Sequence, residues 1–169
     1  MPSSRRFALA AVFGAVIFVS KIFAPTPVKD SMIVIQALLL GLGALLISPL
    51  GATLVATIGG LLTATWSSQL AVFTVIFATG YGLLVDGLIW ALRARTSDID
   101  VNARRFMLAI TLSTAIIGFL AYGTTVALGL LPRNPVGEIF ILVGGILSGL
   151  LGGYLCVIVW RRAGRYLIA

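Results

Sequence analysis

Six apolar runs, each near the length of a bilayer-crossing helix, divide the sequence at about 7–23, 31–47, 50–66, 70–92, 106–131 and 136–160. A helix needs ~20 mostly apolar residues to cross the hydrocarbon core, and backbone polar groups placed there must be satisfied inside the segment. The runs are too long for strands and lack the period-two alternation of a membrane barrel. Residues that stop helices separate them. Ala24-Pro25-Thr26-Pro27 follows the first run, Ser48-Pro49 the second, Ser67-Ser68-Gln69 the third, a polar stretch over 93–105 the fourth, and Pro132 the fifth. The expected fold is all-α. It is a polytopic membrane protein in which one domain over 1–169 forms a compact bundle of six transmembrane helices.

Composition excludes several functions. Only 10% of the residues are charged and 60% are hydrophobic, with a mean hydropathy of +1.13. A soluble domain carries about 25% charge, so too little polar surface exists to cover a water-soluble globule. The lipid bilayer is therefore the first partner. Histidine is absent and the one cysteine, Cys156, lies in an apolar run. Disulfide frameworks, Cys/His metal sites and Ser-His or Cys-His catalytic pairs are excluded, and no enzyme, metal or cofactor is expected. The net charge of +7 comes from short basic clusters between apolar runs. No basic face with interleaved aromatics is present, so nucleic acid is not an expected partner.

Those clusters orient the chain. With the N-terminus inside, the inner segments hold nine basic residues: Arg5, Arg6, Arg93, Arg95, Arg104, Arg105, Arg161, Arg162 and Arg165. The outer segments hold three: Lys21, Lys29 and Arg133. The positive-inside rule then places both termini in the cytoplasm. Arg5 and Arg6 before an apolar run also resemble a secretory signal, but the run is long and no Ala-x-Ala-like site precedes Lys21 or Pro25, so a retained helix is expected.

Small residues recur at helical spacing. The third run has Ala52, Ala56, Gly60 and Ala64, and the sixth has Gly145, Gly149 and Gly153. In the first, Ala8, Ala11 and Ala15 share a face beside Ala10 and Gly14. Such stripes let helix backbones approach closely, either within the chain or against a separate membrane subunit. Spacing leaves both readings open.

Depth along the helices sorts the polar residues. Gln36, Thr63, Thr65, Trp66, Gln69, Tyr122, Thr124, Thr125, Arg133, Asn134 and Glu138 all fall in the outer half or in outer loops, with Lys29 and Asp30 in the first outer loop. Groups from several segments on one side suit a small, flat, polar molecule held by stacking and hydrogen bonds, as well as an ordinary interfacial belt. Gln36, Trp66, Gln69, Tyr122, Asn134 and Glu138 are the candidate substrate-binding residues. Asp86 is the one carboxylate well inside a span, about two-thirds of the way to the cytoplasm, with Gly82 and Gly87 nearby. It is a candidate coupling residue or structural glue between helices. Asp98 and Asp100, surrounded by arginines, read as a solvated loop.

With these features in place the chain resembles the substrate-binding S-components of energy-coupling factor transporters. The likeness covers nearly the whole chain and includes the small-residue first helix, Phe7 to Val16, entered from a basic N-terminus. The glycine-rich stretch from Gly80 to Trp90 is most similar to the hydroxymethylpyrimidine/thiamine type, with Asp86 where glutamate is expected. The resemblance implies capture of a vitamin or vitamin precursor at the outer face of a prokaryotic plasma membrane for ATP-driven uptake. It also implies a shared transmembrane coupling subunit and two ATPase subunits as partners, the former docking on Ala8, Ala11 and Ala15. The absence of a G-x-x-x-x-G-K-[ST] phosphate loop is in keeping with a subunit that does not hydrolyse ATP itself. The alternative from a different class is an autonomous proton- or cation-coupled carrier that uses Asp86.

Overall fold

Backbone groups that leave water need partners inside their own segment, and the apolar runs meet that demand as helices. The computed structural model describes residues 3–23, 28–47, 49–66, 71–95 and 101–168, with the side chains of 3, 28–31 and 163–168 outside the description. Among the described residues there are six helices and no sheet: α1 Ser3–Phe23, α2 Val28–Leu46, α3 Gly51–Trp66, α4 Ala71–Ala91, α5 Ala103–Ala127 and α6 Pro135–Ile168. Four of them (α1, α4, α5 and α6) are long and apolar enough to cross a membrane. The remaining two are apolar but shorter, α2 over Met32–Leu46 and α3 over Gly51–Trp66. At 1.5 Å per residue the 16 residues of α3 reach about 24 Å, short of the ~30 Å hydrocarbon core.

Several helix ends differ from the apolar runs: α1, α2 and α5 begin three or four residues early, and the far ends of α5 and α6 differ more. The fifth run continues to 131, but α5 stops at Ala127 because Gly129 turns left-handed (φ 71°) and Leu130 N–H bonds back to the Thr125 carbonyl at 3.1 Å. The sixth run ends at 160, yet α6 continues to Ile168. The apolar pattern records where lipid ends, and a helix can continue past that boundary. At its other end, α5 starts from Asn102, whose side chain accepts the Arg105 N–H at 3.3 Å.

α2 lies at the centre and touches all five other helices. Around it α3, α4, α5 and α6 follow one another, α6 returns to α2, and α1 packs on α3 and α2. Small residues set these approaches. A Cβ on Gly82 of α4 would sit 2.6 Å from Thr53 Cα and 2.7 Å from the Ala52 carbonyl oxygen. On Gly149 of α6 it would sit 2.6 Å from Thr111 Cα. The α3 stripe of Ala52, Ala56 and Gly60 therefore meets α4, and the α6 stripe meets α5. In α1 the buried face is Ala10, Gly14 and Ile17, with Gly14 against Ile58 and Gly59 of α3. Ala8 and Ala11 point away from the bundle and are exposed, and Ala15 is half-buried.

Candidate functional site

The C-terminal ends of α1 and α5 and the N-terminal ends of α2, α4 and α6 enclose a cavity of about 700 Å³, within the range of small-molecule sites. Each wall follows from helical spacing. On α4, Phe73, Phe77 and Tyr81 recur every four residues and stack along one face, with Thr74 and Ala78 beside them. α5 contributes Thr114, Ile117, Gly118, Ala121 and Thr125, and α6 contributes Phe140, Ile141, Gly144 and Ser148. Gln36 and Ile33 come from the first turns of α2, and Lys21 from the last turn of α1.

Hydrogen bonding decides what these polar groups have left to offer. Thr114, Thr124 and Thr125 donate their hydroxyl protons to the carbonyls of Ile110, Leu120 and Ala121 at 2.8, 2.9 and 2.7 Å. This back-bonding satisfies a hydroxyl without water. Because the Thr114 proton is committed, the 2.7 Å contact between Tyr81 and Thr114 has the tyrosine as donor. Gln36 is only 9% exposed, and its amide has no hydrogen-bond partner among the described residues. No carboxylate is present among the described lining residues.

The other candidate residues fall into three groups. Tyr122 of α5, Asn134 of the loop after it and Glu138 in the first turn of α6 gather around the α5–α6 connection, outside the cavity lining. The Tyr122 hydroxyl accepts the Asn134 N–H at 3.1 Å and donates to the Asn134 carbonyl at 3.2 Å. The Asn134 side chain accepts the Val136 N–H at 3.0 Å and so caps α6, while Glu138 pairs with Arg133 at 3.1 Å. Trp66 ends α3, is 69% exposed and does not line the cavity. Gln69, like Asp98 and Asp100, lies outside the described residues, as do the side chains of Lys29 and Asp30.

Asp86 is at the opposite end of α4 from the cavity. Its Oδ2 accepts Thr53 N–H at 2.8 Å and Thr53 Oγ1–H at 2.7 Å, and its Oδ1 accepts Ala52 N–H at 3.3 Å. The carboxylate therefore caps the N-terminus of α3 from a neighbouring helix, where unpaired N–H groups and the helix dipole favour negative charge. Gly82, one turn earlier, provides the close approach that makes this possible.

Sequence reasoning missed Phe73, Phe77, Tyr81, Thr114 and Ser148. The four-residue spacing of the α4 aromatics was the available signal. No protein-family model, curated protein or solved structure matches this chain.

Proposed function

We propose that this chain is the substrate-binding S-component of an energy-coupling factor importer in a prokaryotic plasma membrane, capturing a vitamin or vitamin precursor for ATP-driven uptake. In this reading all six helices span or enter the bilayer and both termini are cytoplasmic, as the nine-to-three distribution of basic residues favours. The observation that carries the reading is the position of the cavity. It lies at the end of the bundle assigned to the outside, with aromatic walls, hydroxyls and a buried amide around it. The hydroxymethylpyrimidine/thiamine type remains the proposed ligand family.

The free face of α1 supports the same reading. The α3 and α6 stripes are occupied by neighbouring helices, whereas Ala8 and Ala11 remain uncovered. A shared transmembrane coupling subunit, itself driven by two ATPases, would dock there. The carrier alternative has less support, because the Asp86 carboxylate is bound to α3 and lies away from the cavity.

Ala11→Trp tests the proposal. A bulky residue on this face forfeits close helix contact with a partner but meets no neighbour in the chain itself. The variant should fold and bind ligand as an isolated protein while losing co-purification with the coupling subunit and ATP-driven uptake. Joint loss of melting temperature and binding would assign the face to packing within the chain.

A further inference from the structure

Two polar side chains of the cavity lining, Gln36 and Ser148, make no hydrogen bond among the described residues, and Gln36 is the more buried of them. The hydroxyl protons of Thr114, Thr124 and Thr125 are taken up by carbonyls of their own helix, and that of Tyr81 by Thr114. Gln36 differs. It is nine-tenths buried and lines the cavity, with neither its carbonyl oxygen nor its amino group bonded among the described residues. Among the described residues no side-chain nitrogen or oxygen is both fully buried and unpaired, so the Gln36 amide opens onto the cavity, where water or a ligand completes it.

The shape of that group limits what completes it. A primary amide presents an acceptor beside a donor in one plane. Its complement is an edge with an N–H beside a C=O, or a ring nitrogen beside an exocyclic amino group. Phe73, Phe77, Phe140 and Tyr81 supply ring surfaces for a flat body. Charge is restricted as well. A cationic ligand would find no carboxylate among the described lining residues, and Lys21 is already engaged in an interaction within the protein. Among the described lining residues, then, nothing of opposite charge offsets the desolvation of a cationic ligand, and Lys21 would have to share itself between its partner and an anion.

We infer that the cavity takes an uncharged, flat heterocycle and reads its amide-like edge through Gln36. The inference rests on the ligand-binding reading given above and narrows it: within the hydroxymethylpyrimidine/thiamine type it selects the neutral pyrimidine over the thiazolium cation.

The test uses the full chain in mild detergent at pH 8, with binding followed by thermal shift and calorimetry. The neutral probes are hydroxymethylpyrimidine, nicotinamide and lumichrome, the cation is thiamine, and the anion is nicotinate. The tightest binder should be neutral, and Gln36→Met should weaken it by about tenfold or more, the factor that one lost hydrogen-bonded edge implies. The apo melting temperature of that variant should be about unchanged, because the amide bonds no described residue of the chain. Gln36→Asn withdraws the amide by one methylene and should also weaken binding, which guards against a folding failure of the first variant. A charged probe that binds tightest, with binding abolished by filling the cavity at Gly144, would overturn the inference and leave the binding reading intact. Neutral binding indifferent to both Gln36 variants would do the same. Failure of every probe to bind would overturn both.

Discussion

Replacing Asp86 by alanine removes three hydrogen bonds at once and leaves the backbone N–H groups of Ala52 and Thr53 without the acceptor that reaches them from α4. Hydrogen bonds to a charged acceptor contribute about 1.5–3 kcal/mol each, and a negative charge near a helix N-terminus adds about 0.3–1 kcal/mol. One of the bonds is long, at 3.3 Å, and the Thr53 hydroxyl is free to turn toward its own helix. The net loss should therefore be about 2–4 kcal/mol, which for a chain of this length lowers the melting temperature by about 4–16 °C. Asp86→Asn keeps an acceptor oxygen but loses the charge, so it should fall between alanine and the parent. The assay is circular dichroism on heating in mild detergent, with ligand affinity measured in parallel. Affinity should hold, because Asp86 is remote from the cavity lining. A melting temperature unchanged by Asp86→Ala would refute the capping role, and a selective loss of ion-driven uptake would move Asp86 to a coupling site.

Gly82→Ala would place a Cβ 2.6 Å from Thr53 Cα; neither backbone yields cheaply, so a loss of about 3 kcal/mol or more is expected by chemical or thermal unfolding. Gly129→Ala puts a side chain into a left-handed position (φ 71°) with open space around it, and its cost should be the conformational term alone, about 1–2 kcal/mol in the same assay. Arg93 occupies the equivalent position after α4 at φ 48°, with Ala94 N–H bonded to the Ile89 carbonyl at 3.0 Å; Arg93→Gly should stabilise by about 0.5–1 kcal/mol. For orientation, cysteines placed singly at Ser68 and Arg133 should react with an impermeant thiol reagent on intact cells and one at Ser97 should not, while the native Cys156 is buried and silent. The reverse pattern would invert every depth assignment.

The helices were legible because a bilayer demands long apolar runs, and Pro and Gly punctuate them. Their faces were not. α4 is apolar almost all round, so its sequence does not say which side meets protein, and Phe73, Phe77 and Tyr81 read equally well as lipid-facing rings. Gln36, Thr124 and Thr125 stood out because an amide or hydroxyl in an apolar run needs a partner, and the structure places all three on the cavity wall. The partner of Asp86 was hidden for another reason. It depends on the turn after α2 delivering the first turn of α3 to α4, where Leu50 turns left-handed (φ 59°) and its carbonyl accepts Leu54 N–H at 3.0 Å. Nothing in the residues around Ser48 and Pro49 announces that approach. Tyr122 and Asn134 share only a depth in the sequence, and their hydrogen bonds are to each other and to the start of α6.

Ligand capture is proposed for the cavity between α2, α4, α5 and α6. Gly144 lies on the cavity face of α6, and a Cβ built on it meets nothing within 4 Å. Gly144→Phe should therefore fill the cavity without displacing a helix. The decisive measurement is the calorimetric isotherm of the best vitamin-like ligand for the parent chain and for Gly144→Phe, without nucleotide and without partner subunits. Saturable binding of one ligand per parent chain is expected, with a loss of about a hundredfold or more in the variant at an unchanged or higher melting temperature. Equal affinity in a folded Gly144→Phe protein would place the ligand outside this cavity.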